Sequence, residues 1–127
     1  MILDSSFIID LLKGDERALN KSKDIGKNEI IKTTTINSFE VLQGGEYARK
    51  DEKEKINRFF DNIEIIDFDF NSSKKGGKIH SDLIKNGIEI DPEDSMIAGI
   101  ALIHNEKILT KNVKHFSRIK DLEIESY

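Results

Sequence analysis

Two rhythms of hydrophobic and polar positions run along this chain. Short apolar runs rich in β-branched side chains alternate with longer segments in which apolar residues return every three or four positions. The first run, Met1-Ile2-Leu3, stops at Asp4 and reads as a buried strand with a carboxylate at its C-terminal end. Ser5 and Ser6 lead into a helix carrying Phe7, Ile8, Ile9, Leu11 and Leu12, with Gly14 after it. Residues 15–23 form a second short helix anchored by Leu19, and Gly26 and Asn28 break the chain. A strand follows over 29–34.

Residues 36–47 read as a helix with Ile36, Phe39, Leu42 and Tyr47 on its inner side. Asn37 followed by Glu40 matches a capping box there, and Gly44-Gly45 weakens the far end. A helix over 51–62 presents Ile56, Phe59 and Phe60, and a strand over 63–68 comes next. The helix over 71–85 turns Ile79, Leu83 and Ile84 inward and ends at Asn86-Gly87. Asp91-Pro92 then opens the most apolar helix of the chain, with Asp91 as cap and Pro92 at the first helical position. Ile97, Ala98, Ile100, Ala101 and Ile103 leave it almost no polar face, so it is buried. Asp94 stands one turn inside its mouth, an expensive place for a charge unless something positive meets it. A strand over 107–110, a turn at Lys111-Asn112, a loop anchored by Phe116 and Ile119, and a last strand over 122–124 complete the chain. Strands alternating with helices predict an α/β fold with a parallel sheet, as one domain over residues 1–127.

Ligands of such sheets bind at the carboxyl ends of the strands. Four polar positions fall there: Asp4, Glu40, Asp94 and Asn112. An oxygen-only set suits Mg²⁺ or Mn²⁺, which keeps several waters and needs few protein ligands. Taken singly, each has a plainer reading. Asp4 can cap the next helix, Glu40 can close a capping box, Asp91 and Asp94 complement a helix dipole, and Asn112 suits a turn. Their weight lies in the combination and its order. His80, His104 and His115 show no zinc spacing, and there is no nucleophile elbow, P-loop or GxGxxG. Gly76-Gly77 among Lys74, Lys75 and Lys78 reads as a solvated helix start rather than a phosphate cradle. Lys111, Lys114 and His115 are either an exposed basic loop or the rim of a site where RNA phosphates are steered.

Composition narrows the classes. With 37% hydrophobic and 35% charged residues the chain is globular rather than disordered. Ile is abundant, and the only arginines are Arg17, Arg49, Arg58 and Arg118, a weak hyperthermophile signature. Without Cys there are no disulfides or thiolate metal sites, which fits a cytoplasmic protein. The N-terminal stretch lacks a basic region and does not read as a signal peptide. The longest apolar run is far short of the roughly 20 residues that a membrane helix needs. A net charge of −4 means that RNA binding would need a local patch or a bridging metal.

Four blocks taken together resemble the PIN-domain ribonucleases, specifically the VapC-type toxins of type II toxin–antitoxin pairs. They are Met1-Ile-Leu-Asp-Ser-Ser-Phe-Ile-Ile-Asp-Leu-Leu-Lys-Gly, Ile36-Asn-Ser-Phe-Glu-Val-Leu-Gln-Gly, Asp94-Ser-Met-Ile-Ala-Gly-Ile-Ala-Leu and Leu109-Thr-Lys-Asn-Val-Lys-His-Phe-Ser-Arg-Ile. The resemblance implies a three-layer α/β/α PIN-like domain with a central parallel sheet. It implies an acidic pocket of Asp4, Glu40 and Asp94 holding Mg²⁺ or Mn²⁺, with Asn112 at a fourth position where the family often has Asp. That Asn removes one negative charge, which bears on a second metal more than on the first. Ser5 or Ser6 would orient Asp4, and Thr110 would act near Asn112. A divalent ion there would activate water and neutralise the scissile phosphate of an RNA. The antitoxin would occupy a groove near the site, and homodimers are common. The competing expectation is a catalytically silent PIN-like scaffold for RNA or protein, which Asn112 favours and the intact acidic set opposes. A receiver or haloacid-dehalogenase reading lacks its acidic pair, since Asp4-Ser5-Ser6 offers one acid.

Overall fold

The computed structural model describes residues 1–127 except Gly26 and Asn28, so the break expected at those two positions lies outside the described residues. Among the described residues the elements are β1 (Ile2–Leu3), α1 (Ser5–Leu12), α2 (Glu16–Ile25), β2 (Lys32–Thr34), α3 (Thr35–Gly45), α4 (Lys50–Asp61), β3 (Glu64–Ile66), α5 (Phe70–Lys85), α6 (Pro92–Ile103), β4 (Ile108–Leu109), α7 (Val113–Phe116) and β5 (Ile124–Glu125). The strands pair in parallel in the order β3-β2-β1-β4-β5. The chain builds outward from β1 through β2 and β3. It then crosses back to lay β4 and β5 on the other side. The strand order therefore reverses between β1 and β4, the place where an open α/β sheet offers a crevice.

The pleat explains the layers. Ile2 pairs with Ile108 and Leu3 with Leu109, so successive residues face opposite sides of the sheet. Ile2 and Ile108 pack with Ile97, Ile100, Ala101 and Phe116 from α6 and α7. Leu3 and Leu109 pack with Phe7, Ile8, Ala18 and Val41 on the other face. The result is the expected three-layer α/β/α arrangement, and each of the fully buried Ile, Leu and Phe side chains contributes on the order of 1.5–3 kcal/mol.

Helices α5 and α6 meet backbone to backbone. A Cβ on Gly99 would stand 2.6 Å from the Ser72 carbonyl oxygen and 2.7 Å from the Gly76 nitrogen. A Cβ on Gly76 would stand 2.9 Å from the Ser95 carbonyl oxygen. Gly76-Gly77 is thus the middle of a helix, with Gly76 serving the crossing, rather than a solvated helix start.

Several expected anchors face the other way. In α2 the buried residue is Ala18, and Leu19 is exposed. In α3 the buried face is Asn37, Ser38 and Val41, while Phe39 and Leu42 are exposed, as is Tyr47, which lies past the end of the helix. In α5 Leu83 is buried and Ile84 is exposed. The strand expected from residue 29 begins at Lys32, because Ile30 and Ile31 lie outside it and are exposed.

Candidate active site

The sequence offered helix-capping roles for each acid, and the side-chain geometry assigns them elsewhere. Asp4 occupies the N-cap of α1, but its side chain makes no capping bond. Its carbonyl oxygen does that work, accepting the Phe7 and Ile8 amides at 3.0 and 3.1 Å. The cap of α3 is Thr34, whose hydroxyl oxygen accepts the Asn37 amide at 3.1 Å, so Glu40 closes no capping box. Asp91 caps α6 through its carbonyl alone, which accepts the amides of Asp94 and Ser95 at 3.0 and 3.3 Å. The carboxylates of Asp4, Glu40 and Asp94 are left for another purpose.

Asp4 follows β1 and Thr110 follows β4, so both stand at the crevice where the strand order reverses. Asp4 is only 2% exposed. Its Oδ1 accepts from Asn37 Nδ2 at 2.9 Å. Its Oδ2 accepts from Ser6 Oγ at 2.8 Å and Thr110 Oγ1 at 2.7 Å. Every one of these donors is neutral. They satisfy a buried carboxylate and fix its orientation without cancelling its charge.

Glu40 reaches the same place from α3. Ser5 Oγ donates to its Oε1 at 3.0 Å, linking it to the start of α1. Burial pushes the Glu40 carboxyl up to about 7, with repulsion from Asp4, Asp94 and Glu93 adding to the shift against the Ser5 bond. Asp94 sits in the first turn of α6 with a side chain 14% exposed. Burial, then repulsion from Asp4 and Asp91, pushes it up to about 6, opposed by His115. The His115 ring nitrogen Nδ1 lies 3.5 Å from Asp94 Oδ2. Burial and mutual repulsion act on both acids, which marks a cluster short of positive charge.

The remaining expected residues are distributed around this cluster. Ser5 and Ser6 bind its carboxylates directly, as does Thr110. Asn112 is brought close through its backbone, whose N–H donates to Thr110 Oγ1 at 2.9 Å, while its exposed side chain makes no capping bond at the start of α7. Lys114 is exposed on α7, His115 meets Asp94, and the Lys111 ammonium is paired with Asp10.

Asn37 is the member to which the sequence reading gave only a capping role, a role that Thr34 fills instead. It is fully buried, donates to Asp4, and accepts the Thr34 hydroxyl on its own Oδ1 at 2.7 Å. The available signal was its position three residues before Glu40, which puts both on one helix face.

Among the described residues no group of three or more His, Asp or Glu side chains is gathered closely enough to hold a metal ion as it stands. The donor set nevertheless fits a hard divalent cation. It consists of carboxylate oxygens, two of them raised by burial and repulsion, with hydroxyl and amide groups holding them in place. Two cavities of about 700 and 720 Å³ are present, neither lined by Asp4, Glu40 or Asp94. The first lies among α1, α3 and α4, lined by Ile9, Leu12, Val41, Tyr47 and Ile56. The second is lined by Ile88, Ile90, Asp91, His115 and Arg118.

Comparison with known proteins follows the same lines. The sequence profile of the PIN domain matches residues 1–122. The chain is 31% identical over 127 residues to Ribonuclease VapC1 of Methanocaldococcus jannaschii, covering 100% of this chain and 86% of that protein. It is 30% identical over 120 residues to Ribonuclease VapC2 of Rickettsia felis, covering 87% of this chain and 90% of that protein. The crystal structure of VapBC2 from Rickettsia felis bound to a promoter DNA fragment superposes with a TM-score of 0.89 at 26% identity, covering 99% of this chain and 97% of that one.

Proposed function

Because the chain belongs to the PIN domain family, we propose that it is a metal-dependent endoribonuclease and the toxin of a type II toxin–antitoxin pair. The observation that carries this reading is the convergence of Asp4, Glu40 and Asp94 at the strand-order reversal, with their side chains released from capping. The relatives named ribonucleases across nearly the whole chain support the same activity.

Asp4 and Asp94 would hold the ion directly, Mg²⁺ or Mn²⁺ by the hardness of the oxygens, with Glu40 as a third ligand or through water. The bound ion would supply charge neutralisation at the scissile phosphate and acidify a water. The protein's own part is orientation. Asn37, Ser6 and Thr110 keep Asp4 in one rotamer, and Ser5 holds one oxygen of Glu40. The other Glu40 oxygen faces the task of positioning the attacking water. His115 stands beside Asp94, and Lys111 and Lys114 present cations to the RNA backbone. Asn112 at the α7 cap shapes the rim.

The partner would be a cognate antitoxin. The exposed apolar side chains Phe39, Leu42 and Tyr47 beside the groove among α1, α3 and α4 suit an antitoxin segment. The solved VapBC complex supports that partnership. Homodimerisation belongs to the same reading. Among the described residues no helix is long and apolar enough to cross a membrane, and a cytoplasmic location is part of the proposal.

The test is RNA cleavage by purified protein with Mg²⁺ or Mn²⁺. We expect EDTA to stop it and Asp94→Asn to abolish it with the circular dichroism spectrum unchanged. Cleavage indifferent to chelator, or full activity in Asp94→Asn, overturns the metal-dependent reading.

A further inference from the structure

A fourth acid stands at the edge of the cluster. Asp10 lies on α1 four residues after Ser6, on the same helix face. Its side chain is 14% exposed. Tyr127 Oη donates to its Oδ2 at 2.7 Å, and Lys111 Nζ donates to Oδ2 at 3.1 Å and Oδ1 at 3.3 Å. The Tyr127 ring is itself fixed, packing edge-on against Phe7 with centroids 4.9 Å apart. The Lys111 backbone N–H donates to Ser6 Oγ at 3.3 Å, and Ser6 Oγ donates to Asp4. One hydroxyl therefore separates the Lys111 main chain from Asp4, while Asp10 fixes the far end of the side chain.

We propose that Asp10 and Tyr127 are positioning residues that hold the Lys111 ammonium at the rim of the carboxylate cluster, where it receives a phosphate of the RNA strand. This rests on the ribonuclease reading above. An ammonium has three donors, and Asp10 approaches it from one side only. The Lys111 side chain stays 49% exposed, so a phosphate can reach it. A lysine stem otherwise samples many rotamers, and an acid buried under it removes that freedom before substrate arrives. Asp10 suits the task because it stays ionised. Burial alone would raise its carboxyl, but the bonds from Tyr127 and Lys111, with the charge of Lys111, hold it below the usual range. An exposed pair serving stability alone would need no half-buried phenol behind it.

Two conservative variants isolate the idea. Tyr127→Phe keeps the ring against Phe7 and removes only the hydroxyl. Asp10→Asn keeps the shape and removes the charge. KM and kcat for RNA cleavage are measured at several salt concentrations with saturating divalent ion. We expect both variants to raise KM roughly threefold to tenfold with kcat within about twofold, as for a displaced rim charge. Lys111→Ala should raise KM at least as far and reduce the slope of log kcat/KM against log salt by about 0.7, the share of one phosphate contact on a single strand. Lys111→Arg should restore most of the loss. An unchanged KM in Asp10→Asn beside a raised one in Lys111→Ala overturns the positioning role, and a lowered KM in Asp10→Asn shows that Asp10 masks the lysine instead. Trace acetylation of Lys111, read by mass spectrometry, tests the pairing without any activity. It should run slower in the wild type than in either variant, and equal rates overturn the proposal. A wild type that cuts no RNA with either metal ion sinks the ribonuclease reading itself, whereas equal labelling in an active enzyme sinks only the role of Asp10 and Tyr127.

Discussion

Truncating Asn37 to Ala tests whether the buried amide, and not only the three acids, builds the site. The side chain is fully buried and makes two bonds, one to Asp4 Oδ1 at 2.9 Å and one from the Thr34 hydroxyl at 2.7 Å. Its removal leaves Asp4 Oδ1 with only Ser5 Oγ at 3.5 Å, too long to replace it. A hydrogen bond to a charged group is worth roughly 1.5–3 kcal/mol and a neutral one about 1 kcal/mol. The backbone cap from Asn37 to Thr34 survives the change. The sum is a loss of about 3 kcal/mol, or on the order of 12 °C in Tm at about 4 °C per kcal/mol for a chain of this size. Urea unfolding followed by far-ultraviolet circular dichroism measures it, since the chain has no Trp. RNA cleavage, assayed well below the variant's Tm, should fall at least roughly tenfold, because an Asp4 carboxylate free to turn no longer presents the same oxygen. A stability loss under about 1 kcal/mol would refute the assignment of Asn37 as the holder of Asp4. Lost stability with unchanged cleavage would leave Asn37 a structural residue only.

Other consequences follow from the packing and the charges. Gly99→Ala should destabilise by about 1–3 kcal/mol, because the new Cβ meets backbone atoms of α5 that cannot swing aside, and urea midpoints report the cost. Gly77→Ala, with open space around the new Cβ in the same α5, should instead stabilise by up to about 1 kcal/mol in the same assay. Ser72 Oγ is buried without a partner among the described residues, so Ser72→Ala should be neutral or stabilising by about 1 kcal/mol, and a clear loss would reveal a partner for that hydroxyl. Glu106 accepts from Lys32 Nζ at 2.7 Å and from the Met1 amine at 2.5 Å. Burial raises its carboxyl, but these bonds and charges outweigh it and hold the group below its ordinary 4.5. A depressed folded-state value gives stability that is present above the unfolded value and lost as pH falls through the folded one. Glu106→Gln should therefore cost stability at pH 7 and progressively less as the pH falls below 4.5, a difference that urea melts across that range measure.

The layers and the acidic set were legible in the sequence, for a physical reason. The central strands β1 and β4 are short and wholly apolar, as strands covered on both faces must be, Asp4 closes the first of them, and Asp94 stands in the first turn of the most apolar helix, while Glu40 lies a turn further into α3. Ile2, Leu3, Ile108 and Leu109 are all buried, and Asp4 and Thr110 end their strands where expected. The face of α3 was not legible. Helical spacing of Ile36, Phe39 and Leu42 argued for an inner stripe, but α3 turns inward Asn37, which donates to the buried Asp4 carboxylate, and Ser38, which donates to the Thr34 carbonyl. The displaced Phe39 and Leu42 then face out, which no rule of hydrophobic spacing foresees, since apolar residues outside are common in folded proteins. Leu19 misled in the same way: Ala18 is the α2 residue that packs with Leu3 and Leu109 of the sheet.

The same donors explain how a chain of net charge −4 can keep an acidic crevice ordered at all. Neutral hydroxyl and amide groups satisfy each oxygen of Asp4, so the site does not depend on a fixed protein cation that would compete with an incoming ion. Burial first, and then the repulsion this leaves, raises the carboxyls of Glu40 and Asp94. A lysine placed among the three acids would relieve it and close the crevice. The chain instead ties Lys111 outward to Asp10 and sets only an imidazole beside Asp94. Positive charge is thereby kept at the rim, where it can meet a phosphate, and the centre is left for a group that arrives from solvent.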